Sequence, residues 1–171
     1  VEEPGRLALD LAAGHRLVLS TRSDRIALRS DGTLAILDYK TGQPPSSTMV
    51  LAGLAPQLPL TAALAGAGGF AGLGRQTLEG LDLAYLQVAG PRGEGKLVAV
   101  RPTRDEARTT GELARGQLAR LKLHLDEYLA GARGFTARRM PQKTRYSSDY
   151  DGLSRYREWA FGGDDEEEGE E

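Results

Sequence analysis

No cysteine occurs among the 171 residues, which excludes disulfides and thiolate metal centres. No apolar run approaches the roughly 20 residues that cross a bilayer as a helix, and Val1 opens no signal-peptide pattern. Histidine is scarce: His15 and His124 are the two present, and neither has a recognisable nucleophile context. Ser/His/Asp and Cys/His catalysis are therefore poorly supported. His124 adjoins Leu125, and Asp126 and Glu127 do not supply partner ligands on one helical face, so surface or boundary packing is its expected role. A glycine-rich stretch covers residues 66–74, but it lacks the lysine and Ser/Thr of a phosphate loop. The chain thus carries no ATP-hydrolysing motor of its own.

What remains is ordinary for one soluble globular domain: 40% hydrophobic and 27% charged residues, in a length that can bury a real core. The formal net charge of −2 hides an asymmetry, because seven acids fall in the last eight residues. Without them the body has 22 basic against 17 acidic side chains, about +5, a sign that suits a polyanionic partner. The acidic end has nothing to bury, so residues 1–160 are expected to fold and residues 161–171 to form a disordered tail.

Chemistry concentrates in one hairpin. The segment Asp24-Arg25-Ile26-Ala27-Leu28 precedes Ser30-Asp31-Gly32, then Leu34-Ala35-Ile36-Leu37-Asp38-Tyr39-Lys40-Thr41-Gly42. Side chains alternate along a strand, so Leu34, Ile36, Asp38 and Lys40 share one face. A three-residue loop with glycine in the left-handed position pairs Arg29 with Thr33, and hence Asp24 with Asp38. Directly opposed Cβ atoms lie about 4.5–5.5 Å apart, close enough for two carboxylates to share a cation. A two-residue loop would instead pair Asp24 with Tyr39 and move it to the other face. Opposed like charges destabilise a sheet unless compensated, and Mg2+ or Mn2+ would compensate them while also binding substrate phosphate. Lys40 would then orient the attacking water or stabilise charge on the phosphate oxygens.

Together with Gln57-Leu58-Pro59-Leu60, these segments resemble the RecB-like branch of the PD-(D/E)XK nuclease superfamily. Ser148-Asp149-Tyr150-Asp151-Gly152-Leu153-Ser154-Arg155 and Arg157-Glu158-Trp159 extend the likeness to the C-terminal nuclease domain of AddB-type helicase–nuclease subunits. The resemblance implies an α/β fold of the restriction-endonuclease-like type, a mixed sheet flanked by helices. It further implies Asp24 and Asp38 as metal ligands, Lys40 as the catalytic lysine and Gln57 as an active-site glutamine. The activity it implies is Mg2+- or Mn2+-dependent exonucleolytic cutting of DNA during double-strand break end processing. An AddA-like partner subunit and a bacterial cytoplasmic setting follow from the same likeness. The alternative is a nuclease-like module that binds DNA or scaffolds a partner without cutting.

Departures from that family pattern carry their own expectations. Relatives place a helix with a His or Glu ahead of the first strand. None fits between Val1 and the first strand-like segment, so a fragment lacking its first core helix is expected, and His15 inherits no role. Thr61 stands where many relatives have tyrosine four residues after the glutamine. The four-cysteine iron–sulphur cluster of some relatives cannot be built here.

Elsewhere the pattern gives a strand around Leu7–Leu11, a second from His15 to Leu28, and a third from Thr33 to Tyr39. A helix is expected from Pro56, a flexible loop over residues 66–74, and paired strands over residues 81–88 and 96–100. Thr103-Arg104-Asp105-Glu106 reads as a capping box opening a helix that Gly131 ends. Beyond it Arg133, Arg138, Arg139, Lys143 and Arg145 cluster with Phe135 and Tyr146, a candidate contact with phosphates and unpaired bases. Residues 149–159 are expected to form a short helix packed through Tyr156 and Trp159.

Overall fold

The computed structural model describes residues 3–12, 14–88, 94–101, 109–135 and 153. Outside them lie Arg138, Arg139, Lys143, Arg145 and Tyr146, the helix start at Thr103, the segment with Tyr156 and Trp159, and the acidic tail. The chain divides into two compact units, Val1–Ala130 and Gly131–Glu171. All the regular elements described below belong to the first.

Strands β1 (Glu3–Asp10) and β2 (Arg16–Ser23) form an antiparallel two-stranded sheet. A second sheet runs in the order β3 (Arg25–Leu28), β4 (Leu34–Lys40), β5 (Asp82–Gln87), β6 (Lys96–Ala99). Only β4 and β5 are parallel; the flanking pairs are antiparallel. Parallel neighbours need a long crossover, and here it contains α1 (Ser47–Leu51) and α2 (Gln57–Ala67). Helix α3 (Thr110–Leu129) follows β6 and packs on α2. The mixed α/β architecture agrees with the expected fold class.

The hairpin turn has the expected form. Arg29 N–H donates to the Thr33 carbonyl at 2.9 Å, and Gly32 adopts φ +82°, the left-handed conformation the loop requires. Asp31 fastens the turn by accepting from both the Thr33 hydroxyl, at 2.7 Å, and the Thr33 N–H, at 2.9 Å. Those two bonds, the hydroxyl first, hold its carboxyl below the usual range. The register that results pairs Arg25 with Leu37 and Leu28 with Leu34, which aligns Asp24 with Asp38 by continuation.

One expected strand becomes two. The stretch from His15 to Leu28 breaks at Asp24, with β2 in one sheet and β3 in the other. Asp24 Oδ2 accepts the Tyr39 N–H at 2.9 Å, so a side chain takes the donor that a continued ladder would give to main chain. Helix α2 is apolar on nearly every side, with Leu58, Pro59, Thr61, Ala62, Ala63, Leu64 and Ala65 all buried, as a helix inside a core should be. It packs on β1, β4 and β5. Pro59 falls in its first turn, where a missing N–H leaves no bond unmade.

Residues 66–74 are not the flexible loop expected from their glycines. Helix α2 continues to Ala67 and ends at Gly68, whose φ of +80° makes the left-handed cap. Phe70 then inserts fully into the core, and the main chain around it is tied by Arg6 N–H to Gly69 O and Gln76 N–H to Ala65 O. Helix α1 was not legible behind Pro44-Pro45, although Ser46 caps it by accepting from Met49 N–H. Within the described residues α3 opens with a capping box formed by Thr109 and Glu112.

The start of α3 approaches the rest of the core closely at Gly111, where an added Cβ would collide with the Leu78 carbonyl oxygen. Gly111→Ala should therefore be destabilising. Overpacking costs about 1–3 kcal/mol, more than the ~1 kcal/mol of helix propensity that alanine returns. A lower midpoint in chemical denaturation checks this, and an unchanged or raised midpoint would contradict the close packing.

Candidate active site

Asp38 and Lys40 lie at the carboxyl end of β4, beside its parallel neighbour β5. In open α/β sheets the crevice outside the carboxyl ends of parallel strands is the common place for ligands. Helix α2 begins there too. Its first residue, Gln57, reaches back so that Nε2 donates to Asp38 Oδ1 at 2.7 Å and Oε1 accepts from Lys40 Nζ at 3.2 Å. The positive end of the α2 dipole is thereby brought within one side chain of the Asp38 carboxylate.

Lys40 closes the triangle, its Nζ lying 2.6 Å from Asp38 Oδ2. The distance is that of a tight ion pair, in which the ammonium neutralises Oδ2. Asp38 is only 4% exposed. A buried carboxylate is costly unless paired, and here Lys40 and Gln57 engage its two oxygens. Lys40 retains a third of its side-chain exposure, so the ammonium can move outward.

Asp24 is partly buried at the bend between β2 and β3. It spends Oδ2 on the Tyr39 N–H, one residue from Asp38, and keeps Oδ1 for another partner. The structure thus brings together Asp24, Asp38, Lys40 and Gln57. Among the described residues no group of three or more His, Cys, Asp or Glu is placed to hold a metal. Mg2+ and Mn2+ do not require one: they favour oxygen ligands, and Mg2+ is usually held by one or two carboxylates, waters and substrate phosphate. The two aspartates, aligned by register, are oxygen donors of the kind such an ion takes, and the ammonium against Oδ2 marks the spot as one that accepts positive charge.

Two residues near this cluster escaped the sequence reading. Tyr85 on β5 pairs with Asp38 across the parallel ladder, on the same face. It is 1% exposed, and its hydroxyl has no hydrogen-bond partner among the described residues. Burial, and then the Asp38 charge, push its phenol up to about 12. The Lys40 ammonium lies 6.0 Å from the centre of its ring, at the edge of cation–π range. One row further along the same face, Lys40 pairs with Gln87 and Gln87 with Lys96. Lys96 is exposed and adds a second cation to the row that contains Lys40. Sequence alternation alone places neither, because both depend on pairing between distant strands.

Other sequence candidates separate from the site. His124 Nδ1 lies 3.5 Å from Glu127 on α3, a surface pair. Thr61, on α2, donates to the Gln57 carbonyl at 2.9 Å and lies 3.4 Å from the Thr21 hydroxyl. It steadies the helix turn that presents Gln57. No helix among the described residues is long and apolar enough to cross a membrane.

Residues 2–144 fit the family model of the PD-(D/E)XK nuclease superfamily. No curated protein matches the chain.

Proposed function

The chain belongs to the PD-(D/E)XK nuclease superfamily, and on that premise we propose that it is a Mg2+- or Mn2+-dependent deoxyribonuclease domain that cuts DNA from its ends. The observation that carries this reading is the Asp38–Lys40–Gln57 triangle beside Asp24, with the buried Asp38 carboxylate held against the Lys40 ammonium. Asp24 and Asp38 would hold the cation, which when bound polarises a phosphoryl group and lowers the pKa of a water. Lys40 supplies positive charge where the phosphate oxygens become more negative in the transition state. Gln57 bridges Asp38 and Lys40 and fixes their separation, which limits reorganisation during the reaction. Lys96 would receive a neighbouring phosphate, and Arg138, Arg139, Lys143 and Arg145 remain proposed DNA contacts.

The finer assignment rests on the sequence likeness to AddB-type subunits. It places the domain in a RecB-like helicase–nuclease, with an AddA-like partner subunit, acting on double-strand break ends in a bacterial cytoplasm. A second reading, a nuclease-like module that binds DNA or scaffolds its partner without cutting, is favoured by one observation. Among the described residues no third His, Cys, Asp or Glu joins the two aspartates.

End-labelled linear duplex, single-stranded DNA and closed circles, each with added Mg2+ or Mn2+, separate these readings. The exonuclease reading expects metal-dependent release of short products from linear DNA and intact circles. Circles cut as fast as linear DNA would overturn end-dependence. Binding without cleavage under any metal would favour the scaffold.

A further inference from the structure

We infer that Gln87 and Lys96 form the subsite for the phosphate next to the scissile one, so that a bound DNA strand crosses the sheet from β4 towards β6. The inference deepens the proposed nuclease activity and rests on it. Lys40, Gln87 and Lys96 are consecutive partners across three strands. Lys40 pairs with Gln87 in the parallel ladder, and Gln87 pairs with Lys96 in the antiparallel one. Directly paired residues share a face of the sheet, so all three stand on the side that carries Asp38. On that face Ile36 and Leu83 form a buried apolar row, Asp38 and Tyr85 the next, and the Lys40 row is where the core gives way to solvent.

The row carries charge of one sign. Lys40 is engaged by Asp38 and Gln57. The Gln87 amide and the Lys96 ammonium have no hydrogen bond or ion pair among the described residues, and Glu94, two residues before Lys96, does not pair with it. Neighbouring strands lie about 4.8 Å apart, which sets the Lys40 and Lys96 backbones about 10 Å from each other. Both stems are long and flexible, so the two ammoniums can meet consecutive phosphates of one strand, with the Gln87 amide donating between them. Such contacts position a strand without reading its sequence. A lysine on an edge strand also discourages further pairing, and β6 is at the edge of its sheet. That role alone does not account for the row. The same edge leaves Leu97 61% exposed on the opposite face, and Gln87 lies on an inner strand.

The full chain and a fluorescein-labelled oligothymidylate test this. In EDTA, which permits binding without cutting, Lys96→Ala should flatten the plot of log affinity against log salt by about 0.7, the single-strand value for one lost phosphate contact. Lys96→Arg should keep the wild-type slope, because it keeps the charge. With Mg2+ or Mn2+ added, Lys96→Ala should raise KM several-fold and lower kcat little, the reverse of Lys40→Ala. A single neutral methylphosphonate walked along the strand should weaken wild-type binding one phosphate from the cut, and cost Lys96→Ala nothing there. If the wild type cuts while Lys96→Ala matches it in slope and KM, the subsite is overturned and the nuclease reading stands. A methylphosphonate profile shared by wild type and variant would overturn it too. If the slope depends on Lys96 but neither metal supports cutting, the nuclease reading falls and Lys96 remains a DNA contact. A wild type that binds no DNA would overturn both.

Discussion

Replacing Lys40 by alanine is expected to lower kcat by about 100- to 1,000-fold, the range seen when one transition-state charge stabiliser is removed. Mn2+ affinity should not fall with it. The ammonium lies 2.6 Å from Asp38 Oδ2, where the proposed cation would sit. Truncation would therefore free the proposed ligand even as it removes the proposed catalytic charge. A cost appears elsewhere, because Asp38 is buried and loses its counter-ion. The metal-free variant should melt below wild type and gain more from added Mn2+, as linkage requires when a ligand binds only the folded state. Near-normal turnover at saturating metal would return Lys40 to the status of an ordinary strand-end charge. Weakened metal binding would instead contradict the competition between ammonium and cation.

Asp38→Asn should have the second large effect. The change is nearly isosteric, and the backbone of β4 stays paired with β5 through residue 38, so the strand is expected to persist. One negative charge disappears from the centre of the triangle. Lys40 loses its ion pair, and Gln57 Nε2 faces an amide oxygen or must reorient. Loss of an outer-shell partner alone lowers metal affinity by about 10- to 100-fold, so loss of the ligand itself should reach at least the upper end. Calorimetry with Mn2+ reads the affinity and DNA cleavage reads the consequence. Unchanged affinity would remove Asp38 from the metal site.

The parts of this account that sequence could supply are the local ones. The turn Ser30-Asp31-Gly32 is set by residues within three positions of one another. It fixed the register, and the register aligned Asp24 with Asp38. Alternation along β4 was equally local, and it placed Lys40 on the face of Asp38. Gln57 came from family likeness and not from periodicity, since its helix has no polar side to mark it. Tyr85 was beyond reach for a different reason. Its relation to Asp38 exists only through a parallel pairing across 47 positions of chain, and no alternation pattern reports the register of strands so far apart. The break at Asp24 was missed because it depends on one carboxylate choosing the Tyr39 N–H over solvent. The glycines after α2 misled in the opposite direction, because composition suggested mobility while Phe70 anchors the turn in the core.

Anomalous diffraction from crystals soaked in Mn2+ tests the metal site directly. The account predicts a peak against the Asp38 and Asp24 carboxylates, with Lys40 displaced from Oδ2. No peak at saturating Mn2+, with the Lys40–Asp38 pair intact, would contradict it.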